Sequence, residues 1–142
     1  MVDYARLKAL IYAWYDGDAP EEKDEPMFGE NVYWTKTDQV DCSDAVRYWM
    51  EEERDWNYEQ PQVRENNRHF AQIVWRETRR FGCGQSFSRG PKGGTYTVCF
   101  YDPTVNPGGE LENVPRPKTR TTPTTAIPDT TQGNTVEGSG SE

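Results

Sequence analysis

The sequence predicts an α+β fold with a small antiparallel sheet, on three observations. Apolar residues recur at helical spacing in three separate stretches, one of them around the single histidine, His69. Two strand-like runs, Gly82–Phe87 and Thr95–Tyr101, flank a loop rich in Gly and Pro, as in a hairpin. Finally, the chain from Pro115 onward is Thr/Pro-rich and ends on Gly-Ser-Gly-Ser, so it can bury little and is expected to be disordered. That leaves residues 1–114 to form one domain and 115–142 a tail.

Tyr4 to Tyr15 reads as the first helix, with Ala5, Leu7, Leu10, Ile11 and Trp14 as its apolar positions. Gly17, Pro20 and the charged run from Glu21 to Pro26 then form a solvated loop. Phe28 to Thr35 carries Gly29-Glu30-Asn31-Val32-Tyr33-Trp34 and reads as a turn entering a short extended piece. Ser43 is a plausible N-cap for a helix to about Trp56, with Val46, Trp49 and Met50 as its core stripe. Asn66 or Asn67 would cap a third helix from Arg68 to Thr78, burying Phe70, Ile73 and Val74. Arg79 and Arg80 would end that helix, where cations complement its dipole.

The chain carries a net charge of −8, and the charges of the tail cancel, so the domain itself is acidic. An acidic domain argues against nucleic acid and against adsorption to anionic membranes. No stretch is long or apolar enough for a transmembrane helix. Met1 to Trp14 makes a poor signal peptide, because Asp3, Arg6 and Lys8 interrupt its apolar run. Either export follows another route, or this N-terminus is incomplete.

Three cysteines allow one pair and one leftover. Cys83 and Cys99 lie near opposite ends of the hairpin loop. In register they would face one another, close enough for a disulfide. Cys42 is then either buried and inert, or free to pair elsewhere. With one histidine and no Cys-x-x-Cys, a zinc finger is excluded. Glu30, Glu52 and His69 form the candidate constellation. Two carboxylates beside an imidazole could hold a divalent cation, zinc or magnesium, or polarise a water as acid and base. The bland alternative is a hydrogen-bonded cleft whose imidazole ties a helix to neighbouring loops.

Four motifs resemble one family. Arg68-His69-Phe70-Ala71-Gln72-Ile73-Val74-Trp75 resembles the first signature of the CAP superfamily, which groups cysteine-rich secretory proteins, venom antigens and plant pathogenesis-related proteins. Val98-Cys99-Phe100-Tyr101-Asp102-Pro103 resembles the second. Gly29-Glu30-Asn31 is similar to the family's Gly-Glu-Asn, and Ala45-Val46 with Trp49-x-x-Glu52 to its second glutamate helix. Asn57-Tyr58-Glu59-Gln60-Pro61 and Leu111-Glu112-Asn113-Val114 look most like the Golgi-associated pathogenesis-related branch.

The resemblance implies an α-β-α sandwich, with the family's first helix missing from this chain. It also implies an open cleft lined by two histidines and two glutamates. Glu30 and Glu52 match the glutamates and His69 the second histidine. The segment before Gly29 holds no histidine, and Asp16 or Asp18 is a candidate for the vacant position. The hairpin disulfide resembles one of secreted members. Function by this resemblance is that of a secreted, extracellular, non-enzymatic binding protein. A sterol or fatty-acid ligand, or a protein partner, would occupy the cleft. The alternative is a metal-assisted protease using Glu30, Glu52 and His69.

Overall fold

A computed structural model describes residues 1–23, 26–38 and 40–118. The expected tail therefore lies outside the described residues from residue 119 onward. In chain order the elements are α1 (Val2–Trp14), β1 (Gly29–Thr35), α2 (Cys42–Met50) with a 3₁₀ turn (Glu51–Asp55), α3 (Arg68–Val74), β2 (Arg80–Phe87), β3 (Thr95–Asp102) and the short α4 (Glu110–Asn113). The three strands form one antiparallel sheet in the order β1-β3-β2.

Because successive residues of a strand point to opposite faces, the central strand β3 serves two cores. Val98 and Phe100 pack with Ala5 and Ala9 of α1 on one face. Cys99 and Tyr101 pack with Ala45 and Trp49 of α2 on the other, with Ile73 of α3 beside them. A third cluster, Trp56, Phe70, Ala71, Trp75 and Val114, joins α3 to the segment after the 3₁₀ turn and to the C-terminal end of the domain. The result is a mixed α/β sandwich around a small sheet.

Helix α1 turns a different face inward from the one its large apolar residues suggest. Ala5, Ala9 and Ala13 are buried, whereas Leu7 and Leu10 are each 53% exposed and Trp14 is 80% exposed. The cause lies in the strand beneath. β2 presents Gly82 and Gly84 to the helix, and a Cβ built on Gly84 would stand 2.5 Å from the Arg6 backbone nitrogen. Such close approach demands small residues on both sides, and only the alanine stripe supplies them.

Two helix boundaries also differ from expectation. Asp41, not Ser43, caps α2: its carboxylate accepts the Ser43 N–H at 2.9 Å, while Asp44 reaches back to the Asp41 N–H at 2.9 Å. That reciprocal arrangement satisfies two orphan donors, which a serine two residues later would not. Helix α3 stops at Val74 rather than Thr78. The N–H groups of Arg76 and Glu77 bond to the backbone and side-chain oxygens of Asn113 instead. Arg79 and Arg80 consequently do not end a helix. Arg80 opens β2 and pairs with Asp102 at 2.5 Å.

Candidate functional site

Glu52 and His69 meet at the junction of the 3₁₀ turn and the start of α3. The Glu52 carboxylate lies 2.7 Å from His69 Nδ1 through Oε2. Its other oxygen accepts the backbone N–H groups of His69 and Phe70 at 2.9 and 3.0 Å. Those donors belong to the first turn of α3, where no intrahelical acceptor exists. Glu52 therefore caps α3 from another element, a task the sequence suggested for Asn66 or Asn67. Asn67 is buried and does something else: its side chain receives the Arg64 N–H at 2.7 Å and donates to the carbonyls of Asp55 and Gln62. The imidazole stacks on Trp49, rings 5.9 Å apart and 12° from parallel.

Glu30 stands on β1 and faces α1. The Tyr12 hydroxyl donates to its two oxygens at 3.3 and 3.2 Å, and Lys8 Nζ is 3.9 Å away. Lys8, with its stem buried against the sheet, makes its close contact with Glu22. Burial pushes the Glu30 carboxyl above its ordinary range. Lys8 and the Tyr12 hydroxyl pull it back, and Glu22 adds to the rise. Burial, and then Glu30 itself, raises the Tyr12 phenol strongly. The next residue, Asn31, is buried and donates to the His69 carbonyl at 3.2 Å, so β1 is tied to the histidine through its backbone rather than its ring.

The three residues singled out in the sequence thus fall into two groups. Glu52 and His69 form one hydrogen-bonded unit, and Glu30 belongs to another with Tyr12 and Lys8. Among the described residues no group of three or more His, Cys, Asp or Glu side chains is arranged to hold a metal ion. Both Glu52 oxygens and His69 Nδ1 are engaged with one another and with α3, so among the described residues His69 Nε2 is the one donor atom of the pair left unengaged. A single nitrogen without further ligands beside it does not make a divalent-cation site, and no catalytic step is derived from one.

Asp16 and Asp18 do not approach Glu30. Asp16 sits in the left-handed region at φ 53° and holds the hairpin loop: it bonds the Ser88 hydroxyl and accepts the N–H groups of Lys92 and Gly93 at 2.7 and 3.2 Å. Those bonds, led by Ser88, lower its carboxyl pKa. Asp18 is exposed. The residues that do surround Glu30, Lys8 and Tyr12, carry a faint sequence signal. They are one helical turn apart, on the alanine side of α1.

Next to this pair of groups runs a groove of about 310 Å³ between β1 and α3, with Glu30, Arg68 and Gln72 as polar wall and Phe28, Val63 and Val105 as apolar wall. Across the sheet, Cys83 and Cys99 are joined by a disulfide. Cys42 is free and half-buried, and burial followed by Asp41 pushes its thiol up, away from thiolate reactivity. No helix is long and apolar enough to cross a membrane among the described residues.

Comparison with known proteins bears on the family and the fold. Residues 8–101 match the family described as the cysteine-rich secretory protein family, CAP. The chain is 33% identical over 100 residues to the human (Homo sapiens) Golgi-associated plant pathogenesis-related protein 1, covering 68% of this chain and 63% of that protein. It is 31% identical over 110 residues to pathogenesis-related protein PR-1 of Medicago truncatula, covering 72% and 63%. Among solved structures, venom allergen-like protein 4 of Schistosoma mansoni superposes with a TM-score of 0.51 at 25% identity, over 74% of this chain and 64% of that one. The chain thus spans less than two thirds of the length of each of these relatives.

Proposed function

The chain belongs to the CAP family of cysteine-rich secretory proteins, and from that premise we propose that it acts by binding rather than by catalysis. The observation that carries the reading is the engagement of Glu52. Its two oxygens take up the start of α3 and the imidazole Nδ1, which makes it a positioning group for the helix and the ring. Glu30, committed to Tyr12 and Lys8, does not share a proton or ligand with them. A hydrolase built on Glu30, Glu52 and His69 would need all three to converge.

The ligand of this reading is amphipathic, a sterol or a fatty acid, held in the groove between β1 and α3. Support comes from the groove's two-sided lining, which offers Phe28, Val63 and Val105 to an apolar body and Arg68 to a polar head. Extracellular action is part of the same proposal. The disulfide suits an oxidising compartment, and relatives include one described as a secreted protein of Candida albicans.

Titration of the purified chain with a fluorescent sterol and with a fluorescent fatty acid tests the ligand. Saturable binding weakened by Val105→Glu is expected, and no saturable binding to either removes the lipid reading. Should the protein show peptidase activity that His69→Ala abolishes, the non-catalytic reading falls instead.

A further inference from the structure

Strand β2 is an outer strand of the sheet, and its outward peptide groups can be assigned. The Cα atoms of Cys83 and Cys99 are 4.1 Å apart, the close spacing of a non-hydrogen-bonded antiparallel pair. At the loop end, the Ser88 N–H donates to the Gly94 carbonyl at 2.8 Å, a hydrogen-bonded pair in the same register. Even-numbered residues of β2 therefore bond to β3. The N–H and C=O groups of Phe81, Cys83, Gln85 and Phe87 point away from the sheet. Among the described residues no hydrogen bond takes up these four outward N–H groups.

Outer strands are ordinarily guarded by lysine, proline, a bulge or a covering segment. β2 has no lysine, proline or bulge: its register runs unbroken from Arg80 opposite Asp102 to Phe87 opposite Thr95. It displays Phe81 and Phe87 instead, 69% and 58% exposed, both on the side chain face of Cys83.

We propose that β2 pairs antiparallel with β2 of a second copy, about a two-fold axis at Gly84, joining the two sheets into one of six strands. The arithmetic of the strand selects this register. A two-fold at Gly84 sets Cys83 of each copy against Gln85 of the other, and Phe81 against Phe87. Every pair then consists of residues whose peptide groups already point outward, so the ladder closes without a slip. All four exposed phenyl rings gain a cross-strand aromatic partner.

The helices fit the same axis. α1 runs along β2, with Met1 and Val2 over Gly82 and Arg6 over Gly84. Two copies so related bring their α1 helices side by side and antiparallel, and because helices pack at about 8–10 Å between axes the seam needs α1 displaced toward β3, the side on which Ala5 and Ala9 meet Val98 and Phe100. Val2 of one copy then approaches Leu10 of the other, and both are exposed in the single chain. A second copy is favoured over an unrelated strand because the two phenylalanines are equidistant from Gly84, so this edge complements itself. The cost is electrostatic. Arg6 of each copy meets its mate on the axis, Arg79 falls near Arg89 of the other copy, and each chain carries −8, so added salt tightens the pair by screening.

Analytical ultracentrifugation of the whole chain, with hydrogen exchange at several protein concentrations, tests the pairing. The expected result is a reversible dimer that tightens with salt, with the amides of Phe81, Cys83, Gln85 and Phe87 gaining protection as concentration rises. Phe81→Lys and Phe87→Lys should each raise the dissociation constant tenfold or more, with the far-ultraviolet circular dichroism of the monomer unchanged. A wild-type chain that stays monomeric up to about 1 mM, the weak end of measurable association, overturns the proposal. So does a dimer indifferent to both lysines and dissociated by Leu7→Lys, which would place the contact on the outer stripe of α1.

Discussion

Three protein hydrogens converge on the Glu52 carboxylate, and only 17% of that side chain is exposed. Glu52→Ala leaves two backbone donors and an imidazole without their acceptor in a partly buried place, which should cost about 2–4 kcal/mol. Glu52→Gln keeps one acceptor oxygen for the helix start and should cost roughly half as much, both read from urea unfolding midpoints. Glu30 behaves in the opposite sense. Its folded pKa is raised, so the folded state favours the protonated form. The stability this group contributes is present below the ordinary carboxylate range and is lost as pH rises through the raised value. Glu30→Gln, which keeps an acceptor for the Tyr12 hydroxyl, should therefore be more stable than the wild type at pH 7, and the difference should close on titration toward pH 4. A difference that widens with acid would reverse the sign and the reading. The identity of both glutamates was legible in the sequence, through their motifs. Their separation into two groups was not, because that depends on α1 bringing Lys8 and Tyr12 to Glu30, and no local pattern records which strand a helix will cover.

Among the elements, α1 and β2 hold each other by the absence of side chains. Gly84→Ala would force the helix off the strand, since its Cβ would meet backbone rather than a movable side chain. A loss of about 2 kcal/mol or more is expected in chemical denaturation, well beyond the usual effect of adding one methyl to a strand. The disulfide acts on the hairpin differently, by closing 16 residues of chain in the unfolded state. A Cys83→Ser, Cys99→Ser double variant should lose about 3 kcal/mol on the loop-entropy account. Strand positions were read closely from alternation and turn residues, to within two residues at each end. Helix ends were read less well. Asp41 and Asn113 decide where α2 starts and α3 stops, and Asn113 acts across 36 residues of sequence, beyond the reach of any capping rule.

At the scale of the molecule, an acidic CAP domain leaves apolar residues outside on both faces of the β2 edge: Leu7, Leu10 and Trp14 on α1, Phe81 and Phe87 on the opposite face of β2. Association through β2 makes the thermal midpoint depend on protein concentration, because a folded dimer draws the equilibrium from the unfolded chain. A tenfold rise in concentration should raise the midpoint by a degree or more, and Phe81→Lys should abolish that dependence in differential scanning calorimetry. By itself the sequence determined the class of fold, the family, the hairpin and its facing cysteines, since alternation, turn residues and short motifs are local properties of the chain. The tertiary structure alone decided which face of α1 is buried, that Glu52 rather than an asparagine caps α3, and that Glu30 stands apart from His69. Each of these turns on how closely two distant backbones approach, and that distance is set at Gly82, Gly84 and Asn31 by packing rather than by the order of neighbouring residues.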